Sequence, residues 1–233
     1  MYSDVHRILL QACANNGCLK INNALQILEK AIEGNQDQEN EINKENLKKY
    51  IKEINNKISN MGQKLEVIKH EFLKEDFLVF ANTVQDSINE FQLQYNPAEL
   101  MYLRILLRKI VEHPEHCLKI ILAINSVCDV KEKNIPKAQA ENLLDNWKNL
   151  GYFIIENDCV WLGPRAIVEY GNVLKLQFPN EIQTCPQCKV VVFYGVKCGN
   201  ENCETSFHRN CVAEHLTHFS DCPSCKTLWK GTK

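Results

Sequence analysis

The sequence predicts an α+β chain: two tandem domains, each of three helices closed by a β-hairpin, followed by a small module folded around two metal ions. Three observations predict it. An order of helix, helix, helix and β-branched hairpin occurs twice, over 1–95 and again over 96–180. Seven of the twelve cysteines then crowd into residues 185–225, in short pairs with a histidine among them. Finally, a chain of 233 residues supplies apolar cores for the first two units, whereas 181–233 is too short to hold itself together by apolar burial.

The elements follow in order. "SDVHRILLQACANNG" offers Ser3 or Asp4 as N-cap, apolar Val5, Ile8, Leu9 and Ala12 at helical spacing, and a stop at "NNG". "INNALQILEKAIEG" repeats the design with Ala24, Leu25, Ile27, Leu28, Ala31 and Ile32 and ends at Gly34. A polar linker, "NQDQENE", leads into a third helix with Leu47, Ile51, Ile54, Ile58 and Met61 alternating four and three apart. That stripe spans about two heptads, short of a sustained coiled coil, so it reads as the buried face of an amphipathic helix. "KLEVIKHEFLKEDFLVFANTV" then turns β-branched and aromatic, with polar "LKED" between two apolar runs, which predicts a hairpin. Three helices and a β wing make the order of a winged helix.

The second unit opens with Asn96 as N-cap and Pro97 at the first helical position of "NPAELMYLRILLRKIVEHP". "HCLKIILAINSV" reads as a short second helix, and "PKAQAENLLDNWKNLG" as a third, with Ala140, Leu143, Leu144 and Trp147 on one face. "YFIIENDCVWLGP" supplies the wing and "RAIVEYGNVLKLQF" a closing helix that ends before Pro179. The repeat reads as one of element order, not of sequence.

Charge narrows the function. The formal net charge is −2, and thiolates around dications would make it more negative, which argues against an autonomous nucleic-acid binder. Between 131 and 165, five basic residues (Lys131, Lys133, Lys137, Lys148, Arg165) meet five acidic ones (Glu132, Glu141, Asp145, Glu156, Asp158), so the second winged helix reads as a protein-assembly scaffold. Apolar runs such as "IILAI" and "VVVFYGV" fall far short of the roughly 18–20 residues that span a bilayer. With no basic-then-apolar leader at "MYSDVHRILLQ", the expected setting is intracellular and reducing, where paired thiols mean metal.

The C-terminal pattern is Cys185-x2-Cys188-x9-Cys198-x4-Cys203-x4-His208-x2-Cys211-x10-Cys222-x2-Cys225. Each short pair grips one edge of a tetrahedral ion, so eight ligands predict two closed, structural Zn²⁺ sites with no position left for a catalytic water. Spacing leaves two pairings open. Sequential pairing would join Cys185 and Cys188 with Cys198 and Cys203; interleaved pairing would join them with His208 and Cys211. His208 is preferred over His215 and His218 for its tight spacing to Cys211. His113, His116 and Cys117 straddle a proline at a helix boundary and are not expected to hold a third ion. Cys13, Cys18, Cys117, Cys128 and Cys159 read as small buried apolar groups.

The four-cysteine, one-histidine, three-cysteine order resembles the cross-brace of RING and PHD modules, and that resemblance implies the interleaved pairing: Cys185, Cys188, His208 and Cys211 for one ion, Cys198, Cys203, Cys222 and Cys225 for the other. A PHD finger usually has Trp two residues before its seventh ligand, where this chain has Ser220, so the module is more similar to a RING. RING ligases hold a ubiquitin-loaded conjugating enzyme in a reactive arrangement and need no nucleophile of their own. Pro223, between the last two ligands, matches the docking proline, and Lys226 matches the basic position that contacts ubiquitin. Gln187 stands where the family usually has Ile or Leu, and Leu216 or Phe219 would fill the docking role of the second loop.

Tandem winged helices followed by a variant RING resemble one family over nearly the whole chain, the non-SMC element one subunit of the Smc five-six chromosome-maintenance complex. The residues that carry the likeness are "SDVHRILLQ", "GPRAI" and "CPSCKTLW". The resemblance implies a nuclear, chromatin-associated subunit that pairs through its winged helices with a MAGE-type partner and a kleisin. It also implies support of recombinational DNA repair, DNA contact only weak or through the complex, and a ubiquitin ligase activity enhanced by the MAGE partner. The rival expectation is a structural adaptor whose RING-like domain only stabilises the complex, and a third, a histone-tail reader, lacks an aromatic cage.

Overall fold

A computed structural model describes residues 2–35, 43–83, 95–131 and 134–230. The polar linker at 36–42, and Glu132 and Lys133 of the charge balance, lie outside the described residues. The first domain opens with α1 (Asp4–Asn16), capped by Ser3, whose backbone N–H donates to His6 Nδ1 at 3.0 Å. Val5, Leu9 and Cys13, four apart, point inward, whereas Ile8 is 41% exposed on the far face. α2 (Ile21–Asn35) buries Ala24, Leu28, Ala31 and Ile32. α3 (Lys44–Ile58) starts at Asn43, whose side chain accepts from the Asn46 N–H at 2.9 Å. Its Leu47, Ile51, Ile54 and Ile58 all enter the same core, so the heptad-like stripe is a domain face. Met61 departs from that stripe and is 68% exposed, because the helix tightens into a 3₁₀ turn at Ser59–Met61 and ends at left-handed Gly62.

The hairpin forms as β2 (Gln63–Lys69) and β3 (Asp76–Asn82), in register from Gln63↔Asn82 to Lys69↔Asp76. A third strand that the sequence reading missed, β1 (Cys18–Lys20), pairs with the other edge of β3. The second domain repeats this plan. α4 (Pro97–Glu112) has a full capping box, with Asn96 Oδ1 accepting from the Glu99 N–H at 3.0 Å and Glu99 Oε2 from the Asn96 N–H at 2.9 Å. The segment expected to be one short helix divides into β4 (Cys117–Lys119) and α5 (Ile120–Asn125). α6 (Lys137–Asn149) buries Ala140, Leu143, Leu144 and Trp147 as predicted. β5 (Phe153–Glu156) and β6 (Cys159–Leu162) complete a sheet of order β4-β6-β5, and α7 (Pro164–Gln177) follows.

The repeat is also one of sequence, contrary to expectation. Both domains carry the tetrapeptide Cys-Leu-Lys-Ile, at 18–21 and 117–120, at the same place: the edge strand and the first residue of the following helix. Leu19 and Leu118 each drop into their own core, at 9% and 7% exposed. The residue before each strand has positive φ, Gly17 at 68° and His116 at 51°.

The two domains meet along α7. Val168 packs with Phe77, Val79 and Ala81 on the outer face of the first sheet. Arg165 and Glu169 form a buried pair at 3.0 Å, and Glu169 also accepts from the Tyr152 hydroxyl at 2.9 Å and the Asn82 N–H at 3.1 Å. Gly151 is left-handed, and a Cβ there would lie 2.4 Å from Cys18 Sγ, so only glycine lets the domains approach this closely. The last module contributes β7 (Gln183–Thr184), β8 (Val191–Val192), β9 (Val196–Lys197), β10 (Ser206–Phe207) and α8 (Arg209–His218). Its own core is Cys185, Val192, Phe207 and Val212, while Ile182, Val191 and Phe193 belong to the core of the second domain. No helix of the described residues is long and apolar enough to cross a membrane.

Candidate metal centre

Two short turns bring the outer cysteine pairs into position. "CPQCK" (185–189) and "CPSCK" (222–226) fold alike: the Lys189 N–H donates to Cys185 O and the Lys226 N–H to Cys222 O, both at 2.9 Å. Each lysine sits in the left-handed region, at φ 63° and 57°. Such a turn aims successive N–H groups at the first sulfur. Burial alone would raise the Cys185 thiol, yet the N–H groups of Cys188, His208 and Gln187 bring it down to about 7.

The ligand atoms of Cys185, Cys188, His208 and Cys211 lie within 4.8 Å of one another, and so do those of Cys198, Cys203, Cys222 and Cys225. This is the interleaved grouping. The first cluster joins the turn before β9 to His208 and Cys211 at the start of α8, and the second joins Cys198 and Cys203, between β9 and β10, to the turn after α8. In the first cluster His208 turns Nδ1 toward the sulfurs, 3.2 Å from Cys188 Sγ and 3.8 Å from Cys211 Sγ. In the second, Cys198 and Cys225 sulfurs are 3.8 Å apart, as are those of Cys203 and Cys222.

Electrostatics within each cluster favour a dication. Hydrogen bonds from the Thr227 side chain and N–H pull the Cys225 thiol down to about 6. Burial, then hydrogen bonds shared with Cys222, Cys225 and Cys203, push Cys198 up to about 12. Burial and the charges of Cys185 and Cys188 likewise push Cys211 to about 12. One thiolate forms readily and its charge suppresses the next, which is the donor set a tetrahedral Zn²⁺ suits. Four donors per cluster would fill the positions of a tetrahedral ion, so a Zn²⁺ held there would brace the fold rather than activate a water.

The remaining candidates fall into place by contact. His215 Nε2 bonds Asp221 O at 2.9 Å and its ring stacks on Phe219, and neither His215 nor His218 belongs to a cluster. Gln187 and Lys226 are exposed on the first and second turns, Pro223 is half-buried, Leu216 is half-buried on α8 against the module core, and Phe219 is 60% exposed. His116 does not join His113 and Cys117; its Nδ1 faces Val111 O at 3.0 Å and Glu115 takes its place in that group. There His113 Nδ1 already accepts from the Glu115 N–H at 3.2 Å. Cys13 and Cys117 are buried and burial raises their thiols to about 12 and 11, but Cys128 is exposed on the turn after α5, not buried as expected.

Sequence reasoning missed the joint that carries the module. The wing turn His70–Leu73 of the first domain wedges between the second domain and the module. His70, fully buried, meets Leu162 O through Nε2 at 2.9 Å, and Phe72 stacks on Trp161 at 4.3 Å. Tyr194 accepts from the Leu162 N–H at 2.7 Å and donates to His116 O at 3.3 Å. Glu71 reaches both the Phe193 and Tyr194 N–H groups and His208 Nε2. The one available signal was the "HEF" between two strands, an aromatic where a turn tip is usually polar.

Comparison with known proteins agrees with this architecture. Residues 6–142 match the family described as Nse1 non-SMC component of SMC5-6 complex, and residues 185–225 match a RING-like domain. The Drosophila melanogaster non-structural maintenance of chromosomes element 1 homolog is 32% identical, covering 97% of this chain and 95% of that protein. The Homo sapiens and Bos taurus proteins of the same description are 23% and 22% identical over 97% of the chain and 84% of theirs. A chain of a solved Nse1-Nse3-Nse4 complex superposes with a TM-score of 0.84 at 19% identity, over 100% of this chain and 99% of that one.

Proposed function

The chain belongs to the Nse1 family, the non-SMC component of the SMC5-6 complex, and on that premise we propose that it is the complex's zinc-dependent RING-type ubiquitin ligase subunit. Two Zn²⁺ ions would be held, one by Cys185, Cys188, His208 and Cys211, the other by Cys198, Cys203, Cys222 and Cys225. They would supply the stability that a four-residue apolar core does not. The conjugating enzyme would dock on the two turns and α8, at Gln187, Leu216 and Pro223, with Lys226 contacting ubiquitin. Catalysis would then be positional: the module holds a thioester already formed elsewhere. The winged helices would bind a MAGE-type subunit and a kleisin, with DNA met through the complex, and the protein would act on chromatin in the nucleus during recombinational repair.

The observation that carries this reading is the pair of interleaved clusters, with Pro223 and Lys226 on a turn that lies outside the joint with the winged helices. Incubation with ubiquitin-activating and conjugating enzymes, with and without the MAGE-type partner, tests it. Chains should form with the partner present and fall at least tenfold in Lys226→Ala; no chains under either condition would sink the enzymatic reading.

The buried joint and the polar Gln187 favour a second reading, a structural adaptor. It is rejected if Lys226→Ala leaves the assembled complex intact and abolishes ubiquitin transfer.

A further inference from the structure

Glu71 is an acidic residue on the tip of a β wing, yet its side chain is only 7% exposed. Three donors surround it: the N–H groups of Phe193 and Tyr194 and Nε2 of His208, at 3.3 Å. All three belong to the stretch just before or within the metal module. His208 presents Nδ1 to its cluster, so a metal there fixes the other ring nitrogen as N–H. That N–H has two acceptors within reach, Val191 O at 3.1 Å and the Glu71 carboxylate. A carboxylate behind a metal-bound histidine is a common way to orient the ring and raise its basicity. Here the carboxylate comes from a different domain.

We propose that Glu71 is a positioning residue that latches the zinc module to the first winged helix through its first metal site. Loading of the Cys185, Cys188, His208 and Cys211 cluster makes His208 an obligate donor at Nε2, and the wing carboxylate shares that bond with Val191 O. Docking of the wing in turn holds the ring in its ligating orientation. By linkage the two effects are equal in size: whatever the wing adds to metal affinity, the metal adds to docking. The second cluster has four sulfurs and no imidazole, so no wing residue has a handle on it. The latch therefore distinguishes the two ions, and it goes beyond the ligase reading because it holds whether or not the module transfers ubiquitin.

The test is zinc release from the full, zinc-loaded chain to a chromophoric chelator, read as two kinetic phases. Glu71→Ala should release one ion about 10–100-fold faster and leave the other at the wild-type rate. Glu71→Gln keeps the shape and an acceptor for His208, so it should fold and fall between wild type and Glu71→Ala. In NMR spectra the His208 Nε2–H should be protected from solvent exchange in the wild type, clearly less so in Glu71→Ala, where only Val191 O remains, and intermediate in Glu71→Gln. Wild-type rates for both ions, or equal acceleration of both, would overturn the latch; the second result would make Glu71 a packing residue only.

Discussion

Removing one oxygen from the joint should undock the module. Tyr194→Phe keeps the ring against Trp161, at 5.6 Å, and His70, at 5.8 Å, and opens no cavity. What it removes is the hydroxyl that accepts from the Leu162 N–H at 2.7 Å and donates to His116 O at 3.3 Å. The Leu162 N–H is left in a dry site without a partner, at a cost of about 1–3 kcal/mol, and the longer His116 bond adds about 0.5–1 kcal/mol. The total of about 1.5–4 kcal/mol corresponds to roughly a ten- to nine-hundred-fold rise in the population of the open joint. Native-state hydrogen exchange reads it directly: amides at 162 and 192–194 should exchange faster by that factor, while α1 and α3 stay protected. A change below about twofold at those amides would refute the claim that the tyrosine hydroxyl holds the joint.

Other outcomes follow from the same contacts. Chelation should remove two zinc ions per chain and melt 185–225, while the helical circular dichroism of the first two domains persists; one ion or three by metal analysis would break the ligand assignment. Acid should loosen the joint: burial holds His70 below its usual 6.5, so the unfolded chain binds more protons, and stability falls as pH drops through that value. Denaturation midpoints at pH 7.5 and 5.5 check this, and His70→Gln, which cannot charge, should flatten the difference. Gly151→Ala should destabilise by more than about 2 kcal/mol, since the new Cβ meets Cys18 Sγ at 2.4 Å with φ at 79°. Gly34→Ala, on a helix with nothing within 4 Å, should stabilise by about 0.5–1 kcal/mol.

What could be read from the sequence depended on how local the cause was. The helices were legible because periodic residues such as Leu47, Ile51, Ile54 and Ile58 report one face over fifteen residues. The knuckle cysteines were legible because gripping one ion from one turn demands x2 spacing. Their pairing was not, since Cys185 meets Cys211 only once β9, β10 and α8 have folded. A three-residue strand such as Cys18–Lys20 is below any pattern threshold; only its recurrence at Cys117–Lys119 betrays it. Glu71 was illegible in principle. A carboxylate on a turn belongs in water unless something covers it, and what covers it lies more than 120 residues away.

The two knuckles share a backbone and differ in surroundings, and that difference bears on how one small module can be both brace and platform. Cys188, Lys189 and Val190 of the first knuckle line a groove of about 610 Å³ whose other walls are β2 and its wing turn, α7 and the start of α8. None of Pro223, Ser224, Cys225 and Lys226 of the second lines it. The proposed docking surface, if it spans both turns, would have one half set by the module alone and the other half set by how the module seats on the winged helices. If the module docks a conjugating enzyme as proposed, a polar Gln187 in place of an apolar contact would weaken the half that lies beside that groove. Anything that shifts the wing, a partner bound to the winged helices included, would act on that weaker half first. The route would run through His70, Glu71 and Phe72, so the proposed adaptor and ligase roles are compatible: a joint that stabilised the assembly would also set the geometry of the surface on which transfer would depend.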